Sequence, residues 1–274
     1  MSDSLKFFRA GSTEAFEIRF DDGDFPSLEF PHSSQAFVMP VVHYRNNQLR
    51  GLGTCFSVSS HGLVMTARHV MDEVSQIHAT APADEFCGVV CICPAPTPQQ
   101  PKNFAGGLLP IIDVWTNYFL DISIMLVELP IHRETKQPLP MGALALSPGF
   151  PKISQPCIGM GYSSIDWQVN GSELPKVSQS YNAARGNIEE HYFPQRDQRL
   201  HFPCFLTDAR FILGMSGGPI VSATGQVCGV ICSGTELADP EIPNISFGSL
   251  IGPALAIPIT MSAHGITKEC FCGT

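Results

Sequence analysis

The stretch Thr207-Asp208-Ala209-Arg210-Phe211-Ile212-Leu213-Gly214-Met215-Ser216-Gly217-Gly218-Pro219-Ile220-Val221 decides how this chain is read. It places one serine in a glycine-rich turn, after which Pro219-Ile220-Val221 begins an apolar strand. Glycine tolerates the dihedral angles that so sharp a turn requires. Such a turn can aim the N–H groups of Gly214 and Ser216 at one point, as a developing oxyanion needs. Taken alone, the segment is equally a tight loop. A serine hydroxyl is a weak nucleophile without an adjacent base, so the rest of the chain has to supply one.

Two upstream segments offer the missing parts. Gly53-Thr54-Cys55-Phe56-Ser57-Val58, a turn at Ser60-His61-Gly62, and Leu63-Val64-Met65-Thr66-Ala67-Arg68-His69-Val70 put a histidine just after an apolar strand, where a short helix over Ala67–Val74 is expected. Leu120-Asp121-Ile122-Ser123-Ile124-Met125-Leu126-Val127 puts an aspartate at the head of another apolar strand. Each has an ordinary reading, as a hydrogen-bonded core histidine or a turn aspartate. Together, in the order His69, Asp121, Ser216, they supply a nucleophile, a base whose pKa suits neutral pH, and a carboxylate to fix its tautomer.

The remaining pattern is that of an all-β chain. Glycine (24) and proline (23) are scattered between short runs rich in β-branched and aromatic residues, the pattern of many short strands joined by turns. Strands are expected at Phe16–Phe20, Ala36–Tyr44, Leu52–Val58, Leu63–Thr66, Phe86–Cys93, Asp121–Leu129, Ala143–Leu146, Cys157–Tyr162, Phe202–Thr207, Pro219–Ser222, Val227–Cys232 and Leu255–Ile259, with a further helical piece near the C-terminus. Asp21-Asp22-Gly23-Asp24 reads as a turn, since it lacks the spacing of a calcium loop. The proline-rich stretch Pro94–Pro101 reads as an exposed loop, and the polar stretch Pro130–Pro138 as a linker between two β units.

Composition narrows the function. With 44% hydrophobic and 15% charged residues the chain can build a core, and its net charge of −9 argues against nucleic acid and anionic membrane as partners. No run approaches the length of a membrane helix, and Met1–Phe20 lacks the apolar segment of a secretory signal. The ten cysteines are therefore expected as free, buried thiols in a reducing cytoplasm.

These motifs make the chain similar to trypsin-like serine proteases of the chymotrypsin fold, through T-A-x-H-V at Thr66–Val70, D-I-x-I at Asp121–Ile124 and G-x-S-G-G-P at Gly214–Pro219. Within that group it most resembles the HtrA-like branch, which carries T-D-A before the serine turn and a late A-I-P, here Thr207–Ala209 and Ala256–Pro258. The resemblance implies two six-stranded antiparallel β-barrels with the site in the cleft between them. The expected division is residues 1–35 as an extension, 36–135 as the first barrel carrying His69 and Asp121, and 136–274 as the second carrying Ser216. It implies a serine endopeptidase acting on protein or peptide substrates, with Gly214 and Ser216 as the oxyanion hole and no cofactor or metal. By family position Arg210 and Phe211, with Cys232, Ser233 and Gly234 opposite, shape the primary specificity pocket. Phe211 would favour a small or apolar residue before the scissile bond, and Arg210 an acidic one if it pointed inward.

Departures from the family are informative. Val70 and Ile212 stand where secreted members have disulfide cysteines. The few residues after Thr260 leave no room for the PDZ domain usual in the HtrA-like branch, so a chain without one is expected. Met215 replaces the aspartate that receives a new N-terminal amine in trypsin-type maturation, so control is expected through a ligand, a regulatory protein partner or the N-terminal extension.

Three other readings are weaker. Gly214–Gly218 also fits the G-x-S-x-G elbow of α/β-hydrolases, with Asp239 and His264 following, but a strand rather than a helix comes next. Cys87, Cys91 and Cys93, or Cys270 and Cys272, form clusters without the usual zinc spacing. A non-enzymatic chain of this fold would be expected to lack one member of the set.

Overall fold

The computed structural model describes residues 4–8, 15–20, 23–28, 32–82, 85–94, 104–132, 134–168, 176–234 and 245–259. The N-terminal hairpin pairs β1 (Ser4–Phe8) with β2 (Ala15–Arg19). A one-turn 3-10 helix at Ser33–Ala36 then leads into the first barrel, its N-cap His32 and Gln35 forming a reciprocal capping box.

The first barrel contains β3 (Val38–Arg45), β4 (Gln48–Ser57), β5 (Leu63–Thr66), β6 (Phe86–Pro94), β7 (Phe104–Thr116) and β8 (Ser123–Val127). They run β4-β3-β6-β7-β8-β5, and β5 pairs back with β4 to close the ring. The β3–β4 link shows how sequence sets register. Arg45 pairs with Gln48, leaving Asn46 and Asn47 as a two-residue loop with φ of 50° and 60°. Asparagine accepts this left-handed conformation, which matches the twist of the flanking strands.

The second barrel contains β9 (Pro156–Gln168), β10 (Lys176–Tyr192), β11 (Cys204–Thr207), β12 (Pro219–Ser222), β13 (Val227–Gly234) and β14 (Ser246–Leu250). Its order is β10-β11-β14-β13-β12-β9, closed by the β9–β10 pairing. Closure removes the exposed edges that open sheets must protect. The barrels are stitched together where Gln48, Leu49 and Arg50 of β4 pair with Gln168, Trp167 and Asp166 of β9.

Phe56, Met65, Ile124 and Met125 lie in the first core, and Phe205, Phe211, Met215 and Ile231 in the second. Each such side chain contributes about 1.5–3 kcal/mol on leaving water. Helix α1 (Arg68–Thr80) extends past the expected Val74 and buries Val70, Met71 and Val74.

Some of these expectations need correction. Leu255–Ile259 is not a strand. A short helix α2 (Ile251–Ala254) precedes it, and the Leu255, Ala256 and Ile257 N–H groups close turns onto Gly252, Pro253 and Ala254 carbonyls. Proline is compatible with a helix's first turn. The sheet position belongs instead to β14, whose Ser-Phe-Gly-Ser-Leu sequence lacks an apolar alternation yet is buried throughout. Ala143–Leu146 forms no continuous strand, only isolated bridges at Leu144, whose N–H donates to the Ser57 carbonyl, and from Leu146 to Val227. Pro94, expected in a loop, ends β6; the rest of that expected loop, Asp21-Asp22, Asp239, His264, Cys270 and Cys272 lie outside the described residues, as does the Cys93 side chain.

Residues Asp24–Leu28 run beside β10. Leu28 N–H donates to the Tyr181 carbonyl at 2.8 Å, Ala183 N–H to Pro26 at 3.1 Å, and Arg185 N–H to Asp24 at 2.8 Å. The Arg185 guanidinium also pairs with the Asp24 carboxylate at 2.6 Å and lies over the Phe20 ring.

Candidate active site

Strand β5 ends at Thr66, Ala67 is extended, and α1 begins at Arg68, so His69 occupies the first helical turn. No side chain of the helix caps this end. Asp121 does so from across the barrel: its Oδ1 accepts the backbone N–H of His69 at 3.1 Å. A carboxylate at a helix N-terminus meets both free N–H groups and the positive end of the helix dipole. Its Oδ2 lies 2.8 Å from His69 Nδ1. Asp121 is only 4% exposed, and a buried carboxylate needs such partners. With Nδ1–H donating to Asp121, Nε2 is left as an acceptor on the exposed side of the ring.

The serine turn is organised by its own backbone. Gly214 and Gly217 both have φ of 87°, which a side chain would disfavour. Met215 N–H donates to the Ile212 carbonyl at 3.1 Å, Gly217 N–H to Ile231 at 2.8 Å and Gly218 N–H to Met215 at 2.9 Å. Among the described residues, the N–H groups of Gly214 and Ser216 donate to no protein acceptor. These are the two donors expected to serve an oxyanion.

Gly53 joins the halves. A Cβ built there would lie 2.7 Å from Val70 Cγ2, next to His69, and 3.0 Å from the Ser216 carbonyl oxygen. A Cβ on Gly217 would likewise press on Ala67 N at 2.9 Å. Gly53 thus packs between Val70 of α1 and the Ser216 carbonyl. The described hydrogen bonds join His69 to Asp121 but not to Ser216. Nucleophile–base bonds are often long without substrate and tighten when it binds. Beside the turn opens a cavity of about 210 Å³ lined by Gly214, Gly53, Arg50, Tyr162 and Ser163 among others.

Of the residues expected to shape specificity, Phe211 and Gly234 lie side by side, while Arg210 turns toward Phe25. Phe211 is 1% exposed; its ring fills the second core beside Ile231, over the space that a Gly159 side chain would take. Arg210 is exposed, with its guanidinium 5.6 Å from the centre of the Phe25 ring. It points at the N-terminal segment, so the inward-pointing version of its role is set aside. Cys232 is buried, its thiol donating to the Phe247 carbonyl at 3.1 Å. Ser233 is half-buried and Gly234 exposed, and a Cβ on Gly234 would meet the Phe211 carbonyl oxygen.

The cysteines behave as apolar groups. Burial pushes the Cys157 thiol up to about 12, against a small opposing effect of the Thr207 hydroxyl. Burial, aided by Glu73, pushes Cys87 up to about 11. Such thiols stay protonated near neutral pH. Among the described residues no group of three or more His, Cys, Asp or Glu could hold a metal ion, and no helix is long and apolar enough to cross a membrane.

Comparison with known proteins follows the same lines. The trypsin-like peptidase domain family matches residues 53–230. HhoA from Synechocystis sp. (strain PCC 6803), a candidate serine protease, is 23% identical over 250 residues, covering 90% of this chain and 52% of HhoA. This chain thus spans about half the length of that curated relative. Among solved structures, the MamO protease domain of Magnetospirillum magneticum superposes with a TM-score of 0.48 at 14% identity, covering 82% of this chain and 96% of MamO. Neuropsin from mouse brain gives 0.48 at 16% identity, covering 81% of this chain and 92% of neuropsin.

Proposed function

The chain belongs to the trypsin-like peptidase family, and we propose that it is a serine endopeptidase using Ser216, His69 and Asp121. The observation that carries this reading is the His69–Asp121 bond facing a serine turn with two uncommitted N–H groups. Ser216 Oγ attacks the peptide carbonyl while His69 Nε2 takes its proton. The carbonyl oxygen gains the negative charge and is held by the N–H groups of Gly214 and Ser216. Asp121 stabilises the imidazolium and keeps Nε2 aimed at the serine. Collapse breaks the C–N bond, and His69 returns the proton to the leaving amine. Water, deprotonated by His69, then attacks the ester carbon and releases the acid and Ser216.

The substrate is a protein or peptide, with a small or apolar residue before the scissile bond. The closed packing of Phe211 and the outward turn of Arg210 support that preference. We place the enzyme in a reducing cytoplasm because Cys55, Cys157 and Cys228 serve as buried core side chains. Activation by a new N-terminal amine has no support. Met215 is fully buried in the second core, and a buried ammonium without a carboxylate would cost several kcal/mol. Control instead acts on the Arg210–Gly214 segment through a regulatory partner, a ligand or the N-terminal extension. Phe25 already packs against the second core and Arg210.

A peptide-library cleavage profile tests both parts. Cleavage after small or apolar residues, abolished in Ser216→Ala, is expected. A preference for Lys or Arg would contradict the specificity, and undiminished cleavage by Ser216→Ala the mechanism.

A further inference from the structure

Thr54 is polar and fully buried, in a strand whose last five residues are all buried. A hydroxyl in such a place needs a reason, since burying one without partners costs about 1–3 kcal/mol. Its partners lie in the other barrel. Thr54 Oγ1 donates to the Gly214 carbonyl at 2.9 Å and accepts the backbone N–H of Tyr162 at 2.9 Å. The backbone N–H of Thr54 donates to the Ser216 carbonyl at 2.8 Å. Its own carbonyl accepts the Thr66 hydroxyl at 2.7 Å, tying the arrangement to the strand that leads to His69.

We infer that Thr54 is a positioning residue that sets the direction of the two oxyanion N–H groups. The inference rests on the proposed hydrolytic role of Ser216. A peptide unit is planar, so fixing the Gly214 carbonyl fixes the plane joining Gly214 to Met215. Its N–H is thereby sent the opposite way, where Met215 N–H meets Ile212. With Gly214 at φ 87°, the direction of the Gly214 N–H is set relative to that fixed plane. Thr54 thus pins the residue that carries this N–H. Through the Ser216 carbonyl it also pins the far side of the serine. One side chain and its own backbone N–H thus clamp both flanks of Met215, and the clamp crosses from the first barrel to the second. Among polar residues, only one with a hydroxyl on Cβ combines the donor to Gly214 with the acceptor for Tyr162 in this space: a Cβ on neighbouring Gly161 would already lie 3.0 Å from Thr54 Oγ1.

The test compares wild type, Thr54→Val, which keeps the shape and removes the hydroxyl, and Thr54→Ser, which restores it. Misaiming oxyanion donors lowers transition-state stabilisation more than substrate binding. Thr54→Val is expected to lower kcat about 10–100-fold with KM changed less than about threefold. Affinity for a peptide aldehyde, whose adduct places an oxyanion in the hole, should weaken in parallel with kcat/KM, and Thr54→Ser should recover most of both. All rates are referred to folded protein determined by circular dichroism. If Thr54→Val does not fold, Thr54→Cys, with its weaker donor, should show the same pattern at smaller size. Unchanged kcat in a folded Thr54→Val, or equal losses in kcat and in binding of uncleaved peptide, would overturn the inference. If wild type itself hydrolyses no peptide, the hydrolytic reading fails instead.

Discussion

The two barrels have the same strand count and closure, yet they contribute to the site in different ways. The first delivers a finished pair. His69 and Asp121 are bonded through side chain and backbone, with the carboxylate buried and the helix start as scaffold. The second delivers a serine on a turn whose outer carbonyls are held by Thr54 of the first barrel. The proposed acid–base half is therefore preassembled within one unit, whereas the proposed nucleophile half depends on the interface. Changes inside the first barrel should act on proton transfer, and changes at the seam on the serine turn.

The largest effect sharpens this division. His69→Ala and Ser216→Ala should each lower kcat about 10⁴-fold or more, and the double variant little further, because the residues act as a unit. Additive losses in steady-state kinetics would break the proposed unit. Next comes the second core. Phe211→Ala should destabilise the protein by about 3–5 kcal/mol, read from urea unfolding, because the ring is packed into the second core. A near-neutral effect would contradict that packing.

Much of this was legible beforehand. Apolar runs such as Leu63–Thr66 and Ser123–Val127 announced their strands because both faces are buried. The positions proposed for the triad followed from residue types whose chemistry is interdependent. What stayed hidden had no local signal. β10 is a long strand carrying Lys, Gln, Arg and Glu side chains, and it bends where its register with β9 shifts between Ser180 and Tyr181. β14 hides its burial behind serine and glycine. Thr54 lay within a quoted motif, but its partners are 160 and 108 residues away. The only hint was a polar residue between Gly53 and the apolar Cys55 and Phe56. The direction of Arg210 was hidden for a related reason: spacing fixes where it sits on the chain but not that Phe25 arrives from the N-terminus to meet it.

Two smaller predictions probe the seam and the approach to it. Gly53→Ala should force Val70 and the Ser216 carbonyl apart, costing about 1–3 kcal/mol, with a loss of activity larger than the stability change explains in matched thermal and kinetic assays. Loss of stability alone would show that the seam tolerates displacement. The smallest effect concerns His32. Burial lowers its pKa, so folding favours the neutral ring. That stability is present above the unfolded value near 6.5 and is lost as pH falls through the lower folded value. The unfolding midpoint should therefore drop more steeply below pH 6.5 in wild type than in His32→Asn, which keeps an N-cap acceptor. Identical slopes would remove His32 from the account.

The central claim is that Ser216 is the nucleophile and that His69 activates it. Its most direct test is reaction with a fluorophosphonate, followed by peptide mass spectrometry. The account predicts a single covalent adduct on Ser216 in wild type, and labelling slowed by orders of magnitude in His69→Ala. An adduct on another residue, or labelling of Ser216 at the same rate without His69, would contradict it.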